Sequence, residues 1–430
     1  MATRIRDLTS QAGQEATVQG WLVSLRKGGK IRFLVLRDGS GTVQAVVREG
    51  EVPPEVWRES GELAQEASLV ISGLVRPDQR APGGVELVVR NMAVVANGAD
   101  YPITPKEHGV DFLMDHRHLW LRSSRQEAIL RIRSQIELFL QTELARLGFV
   151  RVDSPILTPS ACEGTTTLFE TAYFEDKAYL SQSGQLYNEA AAAALGRVYC
   201  FGPTFRAEKS KTRRHLMEFW MLEPEMAFAS LEDVMDVEER LISALVRHLL
   251  AESASDLATL ERNPEALAQA AAGDFPRISY EEALAVAAGA GHQVAWGDDF
   301  GSPEETAIAA AFDRPVFVHR YPTAAKAFYM QPDPERPEVC LSVDLLAPEG
   351  YGEIAGGGQR IHDLELLRRR LQEQGLPEED YRWYLDLRRW GTQPHAGFGL
   401  GIERTLSWLC GLEHVRETIP FPRLLTRLYP

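Results

Sequence analysis

The stretch Arg197 to Ala227, "RVYCFGPTFRAEKSKTRRHLMEFWMLEPEMA", constrains the fold most. Two apolar runs of strand length flank a polar insert, which predicts an antiparallel hairpin with a long loop. The insert gathers Arg206, Lys209, Lys211, Arg213, Arg214 and His215 around one carboxylate, Glu208. A pair of strands would hold those cations over a site, and phosphate needs such donors, arginine offering a two-pronged one. Glu208 has no use for phosphate, but it could accept hydrogen bonds from an amine, and Phe219 could stack on a base. A second segment, "GFGLGIERTLSWL" from Gly397 to Leu409, predicts a glycine-rich strand turning into a helix that carries Arg404. It lacks the third glycine of a dinucleotide fingerprint and no βαβ unit follows, so a Rossmann reading fails.

The chain has 430 residues, too many for one ordinary core, which predicts two domains or one large domain with an appendage. No run approaches the roughly 20 apolar residues of a membrane span, so no membrane partner is expected. The start, "MATRIRDLTS", has no signal-peptide apolar core. Four cysteines, Cys162, Cys200, Cys340 and Cys410, stand far apart with no CxxC pair. That spacing argues against a zinc site or a disulfide framework and suits a reducing cytoplasm. A formal net charge of -15 argues against nucleic acid at first sight, yet residues 1–48 carry eight Lys and Arg against three Asp and Glu. Local basic surface on an acidic protein can hold phosphates while the acidic remainder discourages indiscriminate binding.

Residues 16–47 alternate apolar and polar positions around the turn signals "KGGK" and "DGSG", and the same grammar recurs to about residue 96. Five short strands in such a length predict a small closed barrel. Trp21 is expected in its core. We place the barrel at 1–98, a Pro-, His- and Gly-rich hinge at 99–125, and the remaining core at 126–430. The Ala- and Glu-rich stretch 226–315 reads as a helical insertion. His108, His116 and His118 in the hinge have no metal-ligand partners in sequence and read as structural.

"LGFVRVDSPILTPS", the hairpin and the "GFGLGIER" segment, taken in chain order, resemble motifs 1, 2 and 3 of the class II aminoacyl-tRNA synthetases. The resemblance covers nearly the whole chain. A barrel, a hinge and then this core is the layout of the subclass that serves aspartate, asparagine and lysine. "YLSQSGQLYNEA", "GEIAGGGQRIHDLELL" and "YLDLRRWGTQPHAGFGLGIER" look like its aspartate/asparagine branch. The fold implied is α+β: a class II antiparallel-sheet catalytic core with an N-terminal OB-fold β-barrel. The activity implied is ATP-dependent ligation of an amino acid to tRNA through an aminoacyl-adenylate, by a homodimer.

The resemblance also implies roles. Arg206 would hold the α-phosphate and the amino acid carboxylate, and Arg404 the γ-phosphate, these two being the catalytic pair. Arg214 and His215 would reach ATP from the loop. Phe219 and Arg404 would sandwich adenine while Glu208 reads its amine. Asp344 and Glu353 would be the Mg²⁺ carboxylates, hard oxygen ligands that suit an ion bridging phosphates. The segment between them, "LLAPEGYG", is longer than the aspartyl pattern shows. Glu163, Ser183 and Gln185 would hold the substrate α-ammonium. In the barrel, Arg26, Phe33 and Gln44 would grip the middle anticodon base, with Phe33 stacking and Gln44 bonding a base edge.

Asparagine and aspartate have nearly one shape, so a site must separate them by hydrogen bonds and charge. Arg360 would donate to the side-chain oxygen. Aspartyl enzymes carry an Asp near Glu223, paired with a Lys where this chain has Asn188. Glu223, freed of that cation, would accept from a carboxamide NH₂ and repel a carboxylate. L-asparagine and tRNA(Asn) are thus the expected substrates. An aspartyl enzyme, whether or not it also charges tRNA(Asn), and a paralogue such as an ammonia-dependent asparagine synthetase, remain open.

Overall fold

A computed structural model describes residues 2–162 and 167–430. The chain divides into two compact units, Met1–Met114 and Asp115–Pro430.

In the first unit five strands close into a barrel: β1 (Glu15–Gly28), β2 (Ile31–Arg37), β3 (Thr42–Arg48), β4 (Ser68–Pro77) and β5 (Val85–Ala96), in the order β1-β2-β3-β5-β4. All neighbours are antiparallel except β3 and β5. β1 serves two partners, pairing Trp21 with both Arg37 and Ser68, and a bulge between Leu22 and Ser24 turns it from one to the other. Inward residues such as Val18, Leu22, Leu34, Leu36, Val43, Ala45 and Ile71 form the core. Trp21 departs from its expected core place. It is 42% exposed, and Arg37 lies over its ring at 5.2 Å. Its neighbours in β1, Gly20 and Leu22, are the buried ones, so strand alternation turns the indole outward.

The second unit is built on a mixed sheet of eight strands. They are β6 (Val150–Arg151), β10 (Arg197–Phe205), β11 (Glu218–Ala227), β12 (Arg277–Ser279), β13 (Val316–His319), β14 (Ser342–Ala347), β15 (Gly352–Arg360) and β16 (His395–Gly401). Their order is β12-β13-β14-β15-β16-β11-β10-β6, antiparallel except at the two ends. A small sheet, β7 (Leu157–Thr158), β8 (Glu170–Tyr173) and β9 (Asp176–Leu180), stands apart. Three helices back the large sheet: Ser124–Arg146, Leu231–Glu252 and Ile402–Cys410. Ser230 and Asp233 form a capping box that starts the second of them. Leu231, Val234, Met235, Leu241, Ile242, Leu245, Val246 and Leu249 then recur at helical spacing and are buried.

Two boundaries differ from the sequence reading. The stretch 226–315 is largely helical, but its first helix lies in the main core and its strand β12 extends the main sheet, so it is no simple insertion. The hinge is split. Buried Arg117 donates to the carbonyls of Ile419 and Pro420, which anchors the part from residue 115 onward to the second unit.

Candidate active site

The basic loop spans residues 206–217 between β10 and β11, whose last facing pair is Phe205 and Glu218. Arg206, Arg214, His215, Phe219, Glu353 and Arg404 line one cavity. The Arg206 guanidinium lies 5.4 Å from the Phe219 ring. Arg404 stands on the first turn of the helix Ile402–Cys410, directly after β16, and its Nη1 donates to Glu353 Oε2 at 2.9 Å. Arg214 is bound more tightly than a free phosphate donor would be. It donates to Glu305 at 3.0 Å, to the Thr306 hydroxyl at 2.6 Å and to the Gly350 carbonyl at 2.5 Å. His215 is not one of the loop's cations: burial first, then Arg404, push its imidazole below the ordinary value, so it is neutral at pH 7. Glu208 does not line this cavity. It borders an adjoining polar one with Arg206, Asp299, Glu305, Lys326, Asp344 and Glu353.

The two acids expected to hold a metal reach one face through a bulge. β14 and β15 pair Asp344 with Gly356 and Leu345 with Ala355, and then the register skips so that Leu346 faces Glu353. A regular ladder would have turned Glu353 to the other face, into the apolar core that Ile354 occupies. Glycine at 356 leaves the gap between them open. A Cβ there would stand 3.0 Å from Glu353 Oε1 and 3.1 Å from Asp344 Oδ1. Two hard carboxylates facing one gap fit a divalent ion. Lys326 donates to Asp344 at 2.8 Å. Burial raises the Asp344 carboxyl to about 6 against the pull of Lys326, and Glu305 rises to about 7, from burial and then from Glu353. Glu353 is lowered: Arg404, Lys326 and Arg206 outweigh its burial.

A second, polar cavity lies alongside, lined among others by Ser183, Gln185, Asn188, Arg206, Glu223, Glu225, Lys326 and Arg360. Ser183 and Gly184 form the turn that opens the helix Gln185–Leu195. Glu223 accepts from the Ser183 hydroxyl, from the Gly184 N–H at 2.9 Å and from the Cys200 thiol at 3.3 Å. Asn188 is spent on the scaffold. It donates to the Glu223 carbonyl at 2.8 Å and accepts from the Ser154 hydroxyl at 3.2 Å. Arg360, 2% exposed, donates to both oxygens of Glu225, at 3.2 and 3.1 Å. Behind them Glu189, Glu225 and His395 bring ligand atoms within 4.8 Å of one another. Arg388 and Arg360 are already paired with those carboxylates.

Residues 109–425 match the family model of class II tRNA synthetases (D, K and N), and residues 16–95 match that of the OB-fold nucleic acid binding domain. The chain is a class II tRNA synthetase. It is 57% identical, over the full length of both chains, to the asparagine--tRNA ligase of Thermus thermophilus. The asparaginyl-tRNA synthetase of Pyrococcus horikoshii, solved with asparaginyl-adenylate, is 42% identical and superposes over all of both chains with a TM-score of 0.97. An Entamoeba histolytica aspartyl tRNA synthetase is 28% identical with a TM-score of 0.86, over 100% of this chain and 93% of that one.

As a class II tRNA synthetase the chain has the expected core and barrel, and Arg206 of the hairpin and Arg404 after the glycine-rich strand line one cavity. Ser183, Gln185, Glu223 and Arg360 share the second cavity with Arg206. Glu163 lies outside the described residues. In the barrel, Arg26 pairs directly with Phe33 across β1 and β2, its guanidinium 4.5 Å from the ring. Val35 faces Gln44 across β2 and β3, so Arg26, Phe33 and Gln44 share one outer face. Sequence reasoning missed Glu225, Glu305 and Lys326. Glu225 left a signal, since it lies two residues from Glu223 on the same strand. Glu305 and Lys326 sit in segments with no motif and reach the site only through the fold.

Proposed function

We propose that this synthetase ligates L-asparagine to tRNA(Asn), using ATP and Mg²⁺, through an asparaginyl-adenylate. The observation that carries the reading is the second cavity. Its wall offers a donor in Arg360 and a fixed acceptor in Glu223, and Asn188 supplies no cation there for a substrate carboxylate. A carboxamide offers one acceptor oxygen and an NH₂ that donates, which matches such a pair. Aspartate would bring its negative charge against Glu223, at a cost of several kcal/mol in a closed pocket.

In the first step the asparagine carboxylate attacks the α-phosphorus of ATP, and pyrophosphate leaves. Arg206 borders all three cavities, so it can bind the carboxylate and the phosphate at once and align them for in-line attack. Arg404, beside Glu353, would take the γ-phosphate and cover the adenine face opposite Phe219. Asp344 and Glu353 would hold Mg²⁺, which supplies charge neutralisation of the phosphates when bound. Glu208 would reach the adenine amine after the loop moves toward it. In the second step a hydroxyl of the terminal tRNA ribose attacks the acyl carbon, the acyl–phosphate bond breaks and AMP leaves. Arg26, Phe33 and Gln44 would meanwhile hold the anticodon. We place the enzyme in the cytoplasm as a homodimer. No helix among the described residues is long and apolar enough to cross a membrane.

Amino-acid-dependent ATP–pyrophosphate exchange, run separately with Asn and Asp, tests this reading. Exchange with Asn alone is expected. Robust exchange with Asp would favour an aspartyl enzyme, and ammonia-dependent release of free asparagine would favour a synthetase paralogue.

A further inference from the structure

The stretch "YLDLRRWGTQPHAG" contributes three residues to a buried cluster that the reaction above does not use: Tyr384, Arg388 and His395. All three converge on Glu189, which is 2% exposed and sits one helical turn after Gln185. Tyr384 donates to Glu189 at 2.8 Å, Arg388 Nη2 at 2.6 Å and His395 Nε2 at 2.8 Å. Arg388 Nε is in turn fixed on the Ile361 carbonyl at 2.8 Å, and His395 Nδ1 faces the Gln393 carbonyl at 2.9 Å. The fourth group on the carboxylate is the Gln185 amide, whose Nε2 donates to Glu189 Oε1 at 3.1 Å.

A glutamine amide can be turned over by half a rotation, exchanging its donor for its acceptor. Here the choice is made by the neighbour. Turned over, the Gln185 carbonyl would meet an ionised carboxylate at hydrogen-bond distance, oxygen against oxygen. Glu189 is ionised: burial opposes its charge, but Arg388 and then His395 outweigh burial and hold it well below the usual carboxylate range. The amide NH₂ is therefore committed to Glu189, and the carbonyl oxygen is left on the side of the cavity that Gln185 lines.

We infer that Glu189 is a positioning residue for the bound amino acid: it fixes Gln185 so that a carbonyl oxygen, not an NH₂, meets the substrate α-ammonium. The inference rests on reading the cavity as the amino acid site. It makes Tyr384, Arg388 and His395 the support of a polarity choice rather than substrate contacts. In Glu189→Gln the new amide can donate to the Gln185 carbonyl and so turn the Gln185 NH₂ toward the ammonium.

The test compares L-asparagine with succinamic acid, which keeps the carboxylate and the carboxamide but has no α-amine. In Glu189→Gln the KM for asparagine in pyrophosphate exchange should rise roughly ten- to a hundredfold, the scale of a lost hydrogen bond to a charged group. Inhibition by succinamic acid and the KM for ATP should stay within about twofold of the parent. Should that variant fail to fold, Glu189→Asp keeps the charge for Arg388 and His395 but withdraws from Gln185, and should split the two ligands in the same direction. Equal weakening of both ligands, or an unchanged KM for asparagine, overturns the inference. If exchange runs with a different amino acid, the function proposed above fails, and the same comparison is made with that substrate and its des-amino analogue.

Discussion

At the scale of single residues the sharpest consequence lies at Glu223. The Ser183 hydroxyl, the Gly184 N–H and the Cys200 thiol all donate to its carboxylate, so its position is set before substrate arrives. Glu223→Gln should lower kcat/KM for asparagine roughly ten- to a hundredfold, read from pyrophosphate exchange, because the acceptor for the substrate NH₂ is lost. A variant as active as its parent would move the reading toward aspartate. Which residues were visible beforehand follows from where they sit. Arg206 and Phe219 stand at the ends of the two hairpin strands, His215 in the loop between them, and Arg404 at the start of a helix after a glycine-rich strand. A local pattern therefore announces each. Lys326 lies in "YPTAAKAFYM" with no periodicity to mark it, and only the fold brings it to 2.8 Å from Asp344. Trp21 was misread because a large apolar ring suggests burial, whereas the phase of β1 decides which way it points.

At the scale of elements the helix Leu231–Glu252 carries an anomaly within its apolar stripe. Glu238 lies one turn after Met235 and before Leu241 and Ile242, and is 1% exposed. Among the described residues neither of its carboxyl oxygens has a hydrogen-bond partner. Burial, and after it the charges of Asp344 and Glu353, raise this carboxyl far above its ordinary value, so it stays protonated in the fold. The unfolded chain releases that proton above about pH 4.3, whereas the folded chain keeps it. Stability is therefore lost as pH rises, by about 1.4 kcal/mol per unit until the buried carboxyl itself ionises. Glu238→Gln removes this dependence. Urea melts should show the variant gaining on its parent from pH 5 to pH 8, and an equal difference at both values would refute the account. At the same helix, Ser230→Ala breaks the capping box and should cost roughly 1 kcal/mol in the same melts.

At the scale of the whole molecule, each unit can be tested by what it leaves alone. Phe33→Ala removes the ring from the outer barrel face and should weaken tRNA binding by roughly 1–3 kcal/mol, the usual scale for a lost base stack. Pyrophosphate exchange should not change. If exchange and tRNA charging fall together, Phe33 serves folding instead. In the second unit Val150 in the edge strand β6, Ile156 beyond it and Leu157 in β7 of the small sheet are between 43% and 45% exposed. An apolar sheet edge of this kind favours pairing with a second copy. Sedimentation should give a dimer at micromolar concentration, and a stable active monomer would contradict it. The general architecture was legible because alternation, turn residues and three separate motifs agreed. The place of 226–315 was not, since an Ala- and Glu-rich helix looks alike whether it hangs outside a core or lies within it.

The register skip between β14 and β15 has a genetic corollary. Because the skip absorbs one surplus residue, Glu353 reaches the face of Asp344, and the bulge depends on the count of residues rather than on any one side chain. Substitutions along β15 leave that count intact. Loss of one codon at Ile354 or Ala355 would remove the surplus residue itself: Leu346 would face Glu353 in a regular ladder, and the acid would keep the face of Asp344 without the bulge.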